Sequence, residues 1–194
     1  LEFKLGKFND IFSNSEIYLD EEINTTGLLQ SLSFKDLNNN LKELSFNFSQ
    51  NVLSMDKDLG NAFSINSNID IKYNFSDFIG LNLKGAYYHY IGDNLSKIAH
   101  ARITGNKDSN SLDNNFNYTS RFNILNGFSK LIFRINENFP LSLSLDYLYN
   151  LGSVSDNKAY QLSAKIGNSS SAFLSYNFKY LEKDSTLSVF VEDQ

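Results

Sequence analysis

The sequence predicts an all-β chain, an antiparallel sheet of about ten strands with no helical stretch. Three observations predict it. First, apolar and polar residues alternate in segment after segment, and no segment keeps the period of an amphipathic helix. Second, the composition favours strands. There are 17 Phe and 11 Tyr in 194 residues, aromatics reach 14%, and Pro140 is the single proline. Third, the clearest alternating segment, Phe63–Phe75, is long. At about 3.4 Å per residue it spans roughly 40 Å, whereas strands of soluble sheets usually hold about 5–6 residues. A tilted, membrane-crossing strand that projects beyond the bilayer fits this length. The fold class expected is therefore an antiparallel transmembrane β-barrel segment.

The elements follow in order. Leu1-Glu2-Phe3-Lys4-Leu5 alternates from the first residue, and weaker patterns lie near Ile17–Leu19 and Leu28–Phe34. Leu44, Phe46 and Phe48 then alternate with Ser45, Asn47 and Ser49. In the next segment Phe63, Ile65, Ile69, Ile71, Tyr73 and Phe75 share one face, and Ser64, Asn66, Asn68, Asp70, Lys72 and Asn74 share the other. Leu81 and Leu83 alternate with Asn82 and Lys84, then run into Tyr87-Tyr88-His89-Tyr90. Phe116, Tyr118, Phe122 and Ile124 alternate with Asn117, Thr119, Arg121 and Asn123. Leu141 to Tyr149, Tyr160 to Ile166 and Leu174 to Tyr180 repeat the pattern.

Connections are uneven. Ser76-Asp77, Glu137-Asn138 and Gly167-Asn168-Ser169-Ser170 read as short turns, while Leu151–Asn157 and above all Gly92–Asn115 are longer. Short turns on one side and longer loops on the other are the habit of outer-membrane barrels. Asn126-Gly127 is a hairpin dipeptide. The apolar parity also switches across it, from Phe122 and Ile124 to Leu131, Phe133 and Ile135, as one inserted residue would cause. A β-bulge is the favoured reading, with Ile98–Thr104 left to the long loop.

The chain reads as one barrel region over residues 1–194, a part of something longer whose signal peptide and further strands lie outside it. No run of about 18 apolar residues exists, so no transmembrane helix is expected. This does not weigh against strands, since only every second residue of a membrane strand faces lipid. With no cysteine and two histidines, there is no disulfide framework and no thiolate or histidine cluster for a metal. The net charge of −5 and the scatter of the bases give no support to a nucleic-acid partner. Phosphate-cradling glycine loops, nucleophile elbows and metalloprotease helices are all absent. Asp20-Glu21-Glu22 reads as a solvated acidic turn rather than a calcium site, and His89 as an interface residue rather than a ligand. No catalytic residue, metal or cofactor is expected, and the chain does not read as an enzyme.

If the strands line a barrel, the polar alternates face its lumen. They carry Lys72, Lys84, Arg121, Lys130, Arg134, Lys165 and Lys179 against Asp70 and Asp146, so acids concentrate in turns and loops. Bases lining a water-filled pore attract anions. The bland alternative is that they keep the lumen hydrated or pair with acids elsewhere. Aromatics bunch near strand ends, as interfacial girdles do: Tyr73 with Phe75, Tyr87 with Tyr88 and Tyr90, and Tyr147 with Tyr149.

Certain segments resemble the porin family of bacterial outer-membrane proteins. They are Pro140-Leu141-Ser142-Leu143-Ser144-Leu145-Asp146-Tyr147-Leu148-Tyr149-Asn150, Ala159-Tyr160-Gln161-Leu162, Lys165-Ile166-Gly167 and Leu174–Asp184. Lys4-Leu5-Gly6-Lys7-Phe8 and Ile17-Tyr18-Leu19-Asp20 resemble an earlier region of the same family. The likeness is diffuse but in order along the chain. It implies a Gram-negative outer-membrane location, lipid as the surrounding partner, and passive diffusion of small hydrophilic solutes or ions. Assembly into a homo-oligomer is compatible with it. Where the family continues into an Asp-rich stretch, this chain has Val191-Glu192-Asp193-Gln194. Two other classes stay open. One is a soluble or surface-attached β-sandwich binding module, whose apolar faces would fill a core. The other is a non-porin outer-membrane barrel.

Overall fold

Most of the alternating segments become strands, because a period of two gives an extended backbone one apolar and one polar face. The segment beginning at Phe116 does so only from Asn123, and its residues 116–120 lie outside the described residues. The computed structural model describes residues 1–9, 24–56, 60–92, 95, 113, 121–136, 139–168 and 172–186. The strands are β1 (Glu2–Asn9), β2 (Asn24–Lys35), β3 (Leu41–Asp56), β4 (Gly60–Asn74), β5 (Ile79–Ile91), β6 (Asn123–Phe133), β7 (Leu141–Asn150), β8 (Lys158–Gly167) and β9 (Phe173–Leu181). They form one open antiparallel sheet in sequence order. Nine strands are thus described. The expected segment at Ile17–Leu19 and the weak one at Ile98–Thr104 lie outside the described residues, as does Asp20-Glu21-Glu22.

The two longest connections lie at the same end of the sheet. One end of the sheet carries 36–40, 75–78, 134–140 and 168–172, and the other carries 10–23, 57–59, 92–122 and 151–157. One tight turn closes where expected: Ser76 and Ile79 exchange backbone hydrogen bonds of 3.3 Å each. Segment 57–59 is short on the long-connection side, and 151–157 is no longer than 134–140 at the other end.

One expectation needs correction. Asn126-Gly127 is neither hairpin nor bulge, for β6 runs straight through it. Gly127 pairs with Gly85 on one side and Tyr147 on the other without a register shift. The register shifts instead near both ends of β3, at Leu41/Glu43 and Val52/Ser54. Apolar parity changes along β6 because Phe122 and Ile124 turn to the face that is polar elsewhere, where both are fully buried.

The sheet is inverted relative to a soluble one. Ser45, Asn47, Ser49, Asn51, Ser64, Asn66, Asn68, Lys84, Asn126 and Asp146 are buried. On the other face Leu143, Leu145 and Leu162 are 43%, 44% and 48% exposed, and Phe46, Leu83 and Leu131 are exposed beside them. The sandwich arrangement, with apolar faces packed together, is not that of the described residues. One apolar cluster on the polar face draws from β1 and β2 (Phe8, Leu29) and from β5 to β8 (Tyr88, Tyr90, Leu148, Ala159), with Phe122 and Ile124 between. On a flat sheet β2 and β5 would stand about 14 Å apart, at roughly 4.8 Å per strand. The sheet therefore curls toward its polar face.

Candidate functional site

Among the described residues, the curled polar face is the surface that gathers chemistry. Register places its residues in rows across the strands. One row reads Ser33, Ser45, Asp70, Lys84, Phe128, Asp146, Gln161, Lys179 from β2 to β9. The next reads Lys35, Glu43, Lys72, Asn82, Lys130, Ser144, Ser163, Asn177. A third, on β6 to β9, reads Ile132, Ser142, Lys165, Ser175.

On the β2–β5 side, opposite charges face each other. Lys72 Nζ donates to Glu43 Oε2 at 2.6 Å, and Lys84 Nζ lies 3.7 Å from Asp70 Oδ1. The Lys84 side chain is only 3% exposed, so the Asp70 carboxylate compensates a cation with little water around it. Lys72 is 54% exposed, and its pair contributes at most about 1 kcal/mol. Toward the long-connection end, amides and hydroxyls pair in part, while Asn51 Oδ1 and Asn66 Oδ1 are buried with no hydrogen bond among the described residues. Asn47 Nδ2 donates to Asn68 Oδ1 at 2.7 Å, and Asn51 Nδ2 donates to Ser49 Oγ at 3.0 Å and Ser64 Oγ at 3.2 Å. Such pairing is what makes a buried polar face tolerable.

On the β6–β9 side, Asn126 Nδ2 donates to Asp146 Oδ1. Lys165 Nζ stands 4.2 Å from the centre of the Phe173 ring. Lys130 faces Ser144, and Lys179 faces Gln161.

The expected lumen residues thus divide. Asp70, Lys72, Lys84, Lys130, Asp146, Lys165 and Lys179 share the polar face. Arg121 does not. It is exposed beside the buried Phe122, and alternation turns it the other way. Arg134 lies just past β6, where its guanidinium reaches Asn74 Oδ1 at 3.2 Å and the Asp77 carbonyl at 3.3 Å. It holds two turns together.

The expected girdle residues divide as well. Tyr87, Tyr147 and Tyr149 stand on the apolar face, as does Tyr73, whose ring meets Phe75 edge-on at 5.1 Å. Tyr88 and Tyr90 do not. Both are buried on the polar face in the apolar cluster, since neighbours in a strand alternate sides. His89 stacks on Tyr87 on the apolar face and hydrogen-bonds Asn123.

Sequence reasoning missed three features. Glu43 carries the parity of Ser45 and Asn47, which was signal enough to find it. Tyr160 and Tyr180 continue the row of Tyr147, with rings stacked at 5.1 Å. The inward apolar cluster had no local signal, because it reverses the pattern of the strands that carry it. Among the described residues, no group of three or more His, Asp or Glu is placed to hold a metal ion, and no helix is long and apolar enough to cross a membrane.

No protein-family model, no curated protein and no solved structure matches the chain.

Proposed function

We propose that the chain is part of an outer-membrane β-barrel of the porin type, through which small hydrophilic solutes diffuse passively. The observation that carries this reading is the inverted sheet, with buried amides, hydroxyls and ion pairs behind an exposed wall of Leu, Ile, Phe and Tyr. An exposed apolar surface on this scale is a liability in water, where patches rarely exceed a few hundred Å². Against acyl chains it is what the solvent requires. The height agrees. Leu141 to Tyr149 spans about 27 Å along β7, or roughly 20 Å at a tilt near 40°, against an apolar band of about 25 Å in such barrels. Tyr87, Tyr147, Tyr160 and Tyr180 then form one aromatic belt, and Tyr73, Phe75 and Phe78 the other.

Within this reading the polar face lines water, and no bond is made or broken there. A closed or gated barrel is the second reading. The inward cluster of Tyr88, Phe122, Ile124 and Leu148 favours it, because an apolar constriction drains water from a pore.

The test is conductance of the full-length gene product refolded into planar lipid bilayers. Stepwise, salt-dependent openings are expected. Silence from a detergent-bound, heat-modifiable barrel would favour the closed form, and protein that stays monodisperse without detergent would overturn the membrane reading.

A further inference from the structure

The lysines of the polar face are not equivalent, and the register explains why. On β2 to β5, Lys35, Lys72 and Lys84 stand among Glu43 and Asp70, and two of the three are held in ion pairs. On β6 to β9, Lys130, Lys165 and Lys179 stand against Asp146 alone among the described residues of those strands' polar face. Asp146 is buried and engaged by the Asn126 amide. Neither Lys130 nor Lys165 forms an ion pair among the described residues. Ser142, Ser144 and Ser163 lie between them in the register.

We infer that the β6–β9 half of the polar face is an anion track, and that Lys130 and Lys165 determine charge selectivity. This rests on the porin reading and deepens it by naming the solute class, small inorganic or carboxylate anions. Two ammonium groups on strands two apart and one pleat repeat apart have Cα atoms about 12 Å from each other. That is close to the Debye length of about 10 Å at 0.1 M salt, so their fields overlap in dilute electrolyte and are screened in concentrated electrolyte. The serine hydroxyls between them donate hydrogen bonds to an anion passing from one ammonium to the next. The β2–β5 half offers no continuous path, because Glu43 and Asp70 offset the field of Lys72 and Lys84 and leave only Lys35, at the end of β2.

The measurement is the reversal potential of the refolded full-length protein in a potassium chloride gradient. The chloride-to-potassium permeability ratio is expected to exceed one, and to fall by about twofold or more in the Lys130→Gln, Lys165→Gln double variant. It is expected to hold in Lys130→Arg, Lys165→Arg, which keeps the charges. It is also expected to hold in Glu43→Gln, Lys72→Gln, which removes a neutral pair. Heat-modifiable migration and far-UV circular dichroism identify variants that have refolded, and the arginine variant guards against a folding defect in the glutamine one. A cation-selective parent overturns the inference, and so does a ratio that follows the Glu43–Lys72 pair rather than Lys130 and Lys165. In both cases the pore itself stands. No conductance at all from a folded barrel overturns the pore as well, so the two failures are distinguishable.

Discussion

Gln161 and Leu162 are sequence neighbours in β8 with opposite surroundings. Gln161 lies in the row between Asp146 and Lys179, and Leu162 stands 48% exposed between Leu145 and Phe178. If the exposed face meets lipid, an arginine there must give up water it cannot replace. Leu162→Arg is expected to destabilise the refolded barrel by about 2–4 kcal/mol, the range for a midplane lipid-facing site. Gln161→Arg, beside the Asp146 carboxylate, should cost well under half of that. Denaturant unfolding from lipid bilayers reads both. Equal costs, or a greater cost at Gln161, would mean that the apolar face is not the lipid face. At this scale most of the polar row was legible, because alternation assigns a face to every residue once one is assigned. It failed at Tyr88, Tyr90 and Arg121, where aromatic identity or a neighbouring pattern outweighed the parity of the strand itself.

Elements were legible in their centres and less so at their ends. β4 and β9 follow the alternation closely, β5, β7 and β8 follow it except where they carry the inward apolar cluster, and β3 extends beyond Leu44–Ser49 to Leu41–Asp56. The misreading was β6. Asn-Gly suggests a turn because glycine readily takes positive φ, yet the pairing of Gly127 with Gly85 and Tyr147 makes it ordinary strand. A Cβ built on Gly127 meets nothing within 4 Å. Gly127→Ala is therefore expected to be neutral or to stabilise by up to about 1 kcal/mol, through loss of freedom in the unfolded chain. Gly27 is the contrast. A Cβ there would lie 2.0 Å from the Gln50 carbonyl oxygen, so Gly27→Ala should lower stability markedly. Parallel unfolding curves of the two variants test this. A strongly destabilised Gly127→Ala would restore the turn at Asn126-Gly127.

At the scale of the molecule, the open edges carry the remaining physics. In a nine-stranded antiparallel meander β1 and β9 run in the same direction, so they cannot close on each other through an antiparallel ladder. In hydrocarbon every backbone amide needs a partner within the protein, and a bare strand edge costs several kcal/mol per unsatisfied group. A membrane barrel built on this sheet either closes β1 on β9 through a parallel ladder or takes further strands between them, odd in number if all ladders stay antiparallel. The amides of β9 that point away from β8 are the reporters. In the full-length protein embedded in lipid, they are expected to exchange with deuterium as slowly as those of β5, which is paired on both sides by β4 and β6. Fast exchange confined to β9 in lipid would leave an unpaired edge at membrane depth, a state that a transmembrane barrel does not permit. The sheet would then belong to a protein that keeps its apolar face from water by some other means.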